Sequence, residues 1–159
     1  MNTFRKFVVL FLLIMLNNNA LVYAQDIEHI EAHSYEGYLF PRNHLIAGLF
    51  PIANGCNLNI SQINKSEKII GCHINNLKKL CPDKHINKRV LKKYKRQYWG
   101  TISKKGHIIV NIYLISSDLA DYINLEEDII NMCDGGCDFI YIMVDIEEET
   151  IVIKPNGVA

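Results

Sequence analysis

Along the last third of the chain, apolar and polar positions alternate with a period of two. In His107 to Ile115 (HIIVNIYLI), Ile108, Val110, Ile112 and Leu114 fall on one face and Ile109, Asn111, Tyr113 and Ile115 on the other. Both faces are apolar, which predicts a strand in the middle of a sheet. Cys137 to Ile146 (CDFIYIMVDI) repeats the pattern, with Phe139, Tyr141, Met143 and Asp145 opposite Ile140, Ile142, Val144 and Ile146. Gln97 to Ser103 and Thr150 to Lys154 are rich in β-branched and aromatic residues and predict two more strands. Lys104-Lys-Gly106 reads as a hairpin loop, Glu147 to Glu149 as a charged turn, and Pro155-Asn-Gly as a stop. Together these predict an antiparallel meander of about four strands.

Upstream the period lengthens. Ile69, Ile70, His73, Ile74, Leu77 and Leu80 follow helical spacing, with Lys78 and Lys79 near the end favoured by the helix dipole and Gly71 as an interior cost. Cys81-Pro82-Asp83 closes this helix. A second runs from Asn87 to about Tyr94, with Val90 and Leu91 inward. Asn43 to Ala53 predicts a short helix limited by Pro51, with Leu45, Ile46, Leu49 and Phe50 on one face. Gln25 to Pro41 reads as a loose lead-in. Ser116 to Met132 reads as a connection in which Leu119, Tyr122 and Ile123 share a helical turn and Leu125 to Ile130 forms another short element. The expected fold is α+β: N-terminal helices packed on a curved antiparallel sheet of about four strands, cystatin-like or NTF2-like by element order.

The N-terminus carries a different signal. Arg5 and Lys6 precede an apolar run from Phe7 to Leu16, and Val22-Tyr23-Ala24 places small residues before Gln25. This is the form of a secretory signal peptide over 1–24, followed by a single domain over 25–159. About ten apolar residues are too few to span a bilayer, so no stable membrane insertion is expected after cleavage. The expected location is the periplasm or the cell exterior. Of 159 residues, 49% are hydrophobic and 21% charged, and the formal net charge is zero. Removing Arg5 and Lys6 leaves 15 basic against 17 acidic groups, a net charge of −2. Such a balance argues against nucleic acid as a partner.

A resemblance enters at Tyr94-Lys-Arg-Gln-Tyr-Trp-Gly100. The Tyr-Lys-Arg-Gln-Tyr segment, the Ile109-Val-Asn-Ile strand after a glycine hairpin, Asp134-Gly135-Gly136 before an aromatic strand ending in Asp145, and Asn156-Gly-Val-Ala159 resemble a family of small, often exported bacterial proteins of unknown function. The likeness covers about residues 88 to 159 and implies no activity, so no catalytic residue is carried over.

Five cysteines, Cys56, Cys72, Cys81, Cys133 and Cys137, lie beyond the signal. In an oxidising compartment they are disulfide candidates, with at least one left over. Cys133 and Cys137 frame the Asp134-Gly135-Gly136 turn and predict a small local bridge. The alternative is a redox pair, but thioredoxin-type motifs have two intervening residues and open a helix. Cys72-His73, Cys81 and His85 give no standard zinc spacing. Asp134 and Asp138 lack a calcium-loop pattern. No nucleophile elbow, zincin or phosphate-loop motif occurs, so neither a metal nor a cofactor is expected. Lys88 to Arg96 is a basic run, and Lys92, Lys93, Lys95, Arg96, Tyr98 and Trp99 make a candidate contact surface, with the Glu147 to Glu149 turn as a partner within the molecule. The expectation is an exported, non-enzymatic binding domain, for an unidentified protein or small ligand, using its sheet face or hairpin tips. The alternative is a small thiol-dependent (Cys/His) hydrolase or redox enzyme.

Overall fold

The computed structural model describes residues 26–46, 50–132 and 134–156. The signal segment, the end of the Asn156-Gly-Val-Ala159 motif and Cys133 lie outside them. Nine strands are present among the described residues: β1 (Glu28–Glu31), β2 (Glu36–Leu39), β3 (Leu45–Ile46), β4 (Phe50–Pro51), β5 (Gly55–Cys56), β6 (Lys95–Ile102), β7 (Ile108–Ile115), β8 (Gly136–Asp145) and β9 (Thr150–Asn156). The helices are α1 (Ile60–Cys72), α2 (Ile74–Leu80), α3 (Lys88–Leu91) and α4 (Ser117–Ala120), with a 3-10 turn at Pro82–Lys84.

The expected four-strand architecture is not what forms. Strands β6 to β9 run as an antiparallel meander, but they are part of a seven-stranded mixed sheet ordered β1-β2-β6-β7-β8-β9, with β5 also on β6. β2 pairs parallel to β6 from Glu36↔Lys95 to Leu39↔Tyr98, and β5 takes over the same edge at Cys56↔Gly100 and Gly55↔Thr101. The helices are few and short, so the fold is mostly sheet. Gln25 to Pro41 supplies the β1–β2 hairpin rather than a lead-in. Its inward positions, Ile30, Gly37 and Leu39, are too few and too separated by charge to read as a period. The stretch predicted as a helix at Asn43 to Ala53 forms β3 and β4 where it is described, paired at Ile46↔Phe50. Leu125 to Ile130 is a turn, in which Ile129 bridges in parallel to Ile46.

The long helical pattern splits in two. Asn59 caps α1 by a capping box missed in the sequence: its side chain accepts from Gln62 N at 3.0 Å, and Gln62 Oε1 accepts from Asn59 N at 2.8 Å. The helix breaks at His73, and α2 continues to Leu80. Asn87 caps α3, accepting from the N–H groups of Arg89 and Val90. No helix among the described residues is long and apolar enough to cross a membrane.

The sheet carries one apolar cluster on its helix face and two smaller ones on the other. On one face, Tyr98, Val110, Ile112, Leu114, Ile140, Ile142 and Val144 pack under Ile63, Ile69, Ile70 and Leu77 of α1 and α2. On the other face, Trp99, Phe40, Ile52 and Ile129 form a smaller cluster, and Ile115, Phe139 and Leu125 a third. This second face is covered by loops rather than helices, and the cover is incomplete.

Candidate functional site

The cover is held by one side chain. Gln97 of β6 is fully buried, and its amide meets three backbone groups of the 121–132 segment. Nε2 donates to Leu125 O at 3.0 Å and Asp128 O at 2.8 Å, while Oε1 accepts from Ile130 N at 3.0 Å. A buried amide satisfied this fully fixes the loop over the β2–β6 half of the face. Tyr38 adds a bond at the rim, donating to Glu126 Oε1 at 2.8 Å.

On the β7–β8–β9 half, Ile115 and Phe139 are buried with Leu125, and the stretch from Tyr113 and Tyr141 toward Val152 is only partly covered. Tyr113 and Tyr141 face each other across β7 and β8, Met143 lies opposite Val152, and both tyrosines and Met143 are half-buried. Val152 is 48% exposed. Beneath them Trp99 is buried and stacks on Tyr141, with ring centroids 5.8 Å apart and planes 4° from parallel. Tyr113 packs at an angle against Trp99, Tyr141 and Phe139. Tyr141 Oη donates to Asn111 Oδ1 at 2.6 Å, and Asn111 Nδ2 donates to Thr101 Oγ1 at 2.9 Å. Burial, with a smaller effect of Tyr113, pushes the Tyr141 hydroxyl up to about 12. The strip is thus a rigid row of neutral aromatic rings with one polar anchor underneath.

At the hairpin end of the face His107 Nδ1 lies 3.0 Å from Asp145 Oδ2. Asp145 Oδ1 also accepts from the Glu147 and Glu148 N–H groups at 3.1 and 3.0 Å. Burial alone would raise this carboxyl, but the Glu148 N–H and His107 outweigh it, and it stays below the ordinary aspartate value. The nearby hydroxyl of Ser103 accepts from the His107 backbone N–H at 3.1 Å, not from its ring. The pair therefore holds the two hairpin tips together.

The candidate contact surface built on Lys92, Lys93, Lys95, Arg96, Tyr98 and Trp99 is broken up by burial. Lys92 and Lys93 are exposed, but Arg96, Tyr98 and Trp99 are interior. Consecutive residues of a strand covered on both sides have no exposed face. Lys95 pairs with Glu36 of β2. Arg96 points to the helix side, donating to Tyr94 O and lying 3.3 Å from Glu67 Oε1 of α1, which also accepts from Tyr98 Oη at 2.7 Å. Burial, then the Glu67 charge, lifts the Tyr98 hydroxyl well above its ordinary value. The approach needs Gly37: a Cβ there would lie 2.3 Å from Arg96 O and 2.7 Å from Arg96 Cβ. The acidic turn is not paired with the basic run either. Glu149 lies 3.3 Å from Lys65, and Glu148 3.7 Å from Lys105.

The cysteines pair otherwise than expected. Cys137 bridges to Cys81, 56 residues away, and not to Cys133. The bridge ties the end of α2 to the start of β8. It also removes Cys81 from any metal set with Cys72, His73 and His85, and no group of three or more metal-ligating side chains occurs among the described residues. Asp138 is held by Lys84, whose Nζ lies 2.7 Å from both carboxylate oxygens. In the Asp134-Gly135-Gly136 turn, Gly136 has φ 52°, and a Cβ on Gly135 would lie 2.3 Å from Phe139 Cβ. Folding accounts for both glycines. Cys56 and Cys72 are free. Burial, then the charge of Glu147, pushes the Cys56 thiol up, the opposite of what a nucleophile needs.

Sequence reasoning missed the partly covered strip. Its signal was present in the alternation Phe139, Tyr141, Met143, Asp145, but nothing local tells which half of a face a distant loop covers. A scan against protein-family models, a search of curated proteins and a search of solved structures each find no match.

Proposed function

We propose that this protein is an exported, non-enzymatic interaction domain that captures a protein partner on the partly covered β7–β8–β9 half of its aromatic sheet face. The observation that carries the reading is the partly buried strip of Tyr113, Tyr141 and Met143 running to exposed Val152, over a ring stack already locked in place. Aromatic residues and methionine are enriched at protein interfaces. Rings fixed by stacking and by the Tyr141–Asn111 bond lose little freedom on binding. The matching partner presents an apolar segment to the strip. Export is supported by the disulfide and by the signal-like segment over 1–24.

The thiol-enzyme alternative has less support. Two of its cysteines are bridged, and burial, then the Glu147 charge, pushes the Cys56 thiol up. The test is recovery of a partner from the envelope fraction and medium of the producing cell with the protein as bait. Met143→Lys is expected to abolish the recovered partner, while Tyr122→Lys, at a residue 89% exposed on the α4 side, leaves it. A partner that binds both variants equally, or none recovered by the unaltered protein, would sink the proposal.

A further inference from the structure

The hydrogen-bond parity of the meander decides which backbone groups face outward at the β9 edge. Ser116 N donates to Asp138 O at 2.9 Å and Ile146 N to Ile108 O at 3.4 Å. These pairs lie in the β7–β8 register, so the even-numbered residues of β8 turn their backbone groups to β7 and the odd-numbered ones to β9. Tyr141, Met143 and Asp145 therefore exchange bonds with Lys154, Val152 and Thr150. The N–H and C=O of Ile151 and Ile153 point away from the sheet. Pro155 shares their parity, so its missing donor costs no bond to β8.

The two edges of the sheet differ. β1 carries exposed Glu28, His29 and Glu31, the charges that usually guard an edge against pairing. β9 offers Thr150-Ile-Val-Ile153, uncharged and β-branched throughout, with exposed Val152 at its centre. The Ile151 and Ile153 side chains pack against the helix-side core, and no strand among the described residues pairs with the outer edge of β9.

We propose that β9 pairs antiparallel with β9 of a second copy, about a two-fold axis at Val152, so that the two sheets become one. The segment is complementary to itself in this register. Ile151 faces Ile153 of the second copy, and Ile153 its Ile151, and each of these pairs exchanges both N–H···O bonds. Thr150 lies across from Lys154, which is exposed and reaches the second copy's Glu148–Glu149 turn; those glutamates are 51% and 65% exposed. Opposite charges therefore meet at both ends of the pairing. Glu149, at φ 54°, and Pro155 stop the ladder on either side and fix the register. At the centre Val152 meets its own copy, and the aromatic strip of one molecule continues into that of the next. This assembly holds whatever the strip binds.

The test is sedimentation of the purified protein from micromolar to millimolar concentration, with amide exchange measured over the same range. A dimer is expected, and Val152→Lys, which sets like charges face to face at the axis from an exposed position, weakens it by about tenfold or more. The Ile151 and Ile153 amides slow with concentration, while the inward Val152 amide is protected throughout. A monomer at every concentration overturns the proposal. So does a dimer that Val152→Lys leaves intact, or one in which the Ile151 and Ile153 amides exchange as fast as in the monomer.

Discussion

Replacing Gln97 with methionine keeps its volume and removes all three bonds to the 121–132 loop. If the loop stayed in place, the carbonyls of Leu125 and Asp128 and the N–H of Ile130 would be left buried without partners, at about 1–3 kcal/mol each. If it lifts instead, Leu125 and Ile129, 6% and 0% exposed, lose their burial at about 2 kcal/mol each. Three such groups together cost about 3–9 kcal/mol and the two lost burials about 4 kcal/mol, so over most of that range the loop opens and the loss is about 4 kcal/mol. Two assays read this separately. Hydrogen exchange at the Ile130 amide should accelerate toward the rate of a free loop. Emission from Trp99, the only tryptophan and part of the cluster with Ile129, should shift to the red as water reaches it. A loss under about 1 kcal/mol with Ile130 exchange unchanged would refute the claim that Gln97 holds the cover.

Removing the Cys81–Cys137 bridge by a double alanine substitution frees a loop of 56 residues' separation, and the chain-entropy relation puts the loss at about 4 kcal/mol, read as a fall in the urea midpoint. Arg96→Met leaves Glu67 buried without its cation and should cost about 3–5 kcal/mol, whereas Arg96→Met with Glu67→Leu should recover much of it in a double-mutant cycle; additive losses would refute the pairing. Gly37→Ala drives a methyl group into Arg96 and should cost about 2 kcal/mol or more, read as a lowered thermal midpoint. Asp138 and Asp145 both sit below their ordinary value of 3.8. Groups depressed in this way stabilise the fold above that pH, and the contribution fades as pH falls through and below it. Asp145→Asn should therefore flatten the acid limb of the stability curve below about pH 4 without altering its shape near neutrality.

The meander was legible because its signal is local. Alternation in Ile108 to Ile115 and in Phe139 to Ile146 is visible within each strand, and apolar positions on both faces marked β7 as central. The caps at Asn59 and Asn87 are local too, although neither is read as a cap in the sequence, where Asn87 is only the start of a helix. The rest depends on contacts far apart in sequence. β1 and β2 are four residues each, and their parallel pairing to β6 joins Glu36 with Lys95. Gly37 looks like a breaker until the backbone it admits is known. Arg96 and Gln97 look like surface residues because Glu67, Leu125 and Asp128, which satisfy them, lie 28 to 31 positions away. One inference was within reach. Adjacent residues in a strand covered on both faces occupy opposite interiors, so Arg96 and Gln97 had to find buried partners. The disulfide failed for the same reason of distance: Cys133 and Cys137 are neighbours in sequence, but the end of α2 brings Cys81 to within 5.7 Å between Cα atoms.

The most direct test of the interaction strip is a photo-reactive amino acid placed at Met143 in the producing cell, with the same group at Tyr122 as control. Adducts to a distinct protein at Met143 and none at Tyr122 are the expected result. Equal labelling at both positions, or none at Met143, would contradict it.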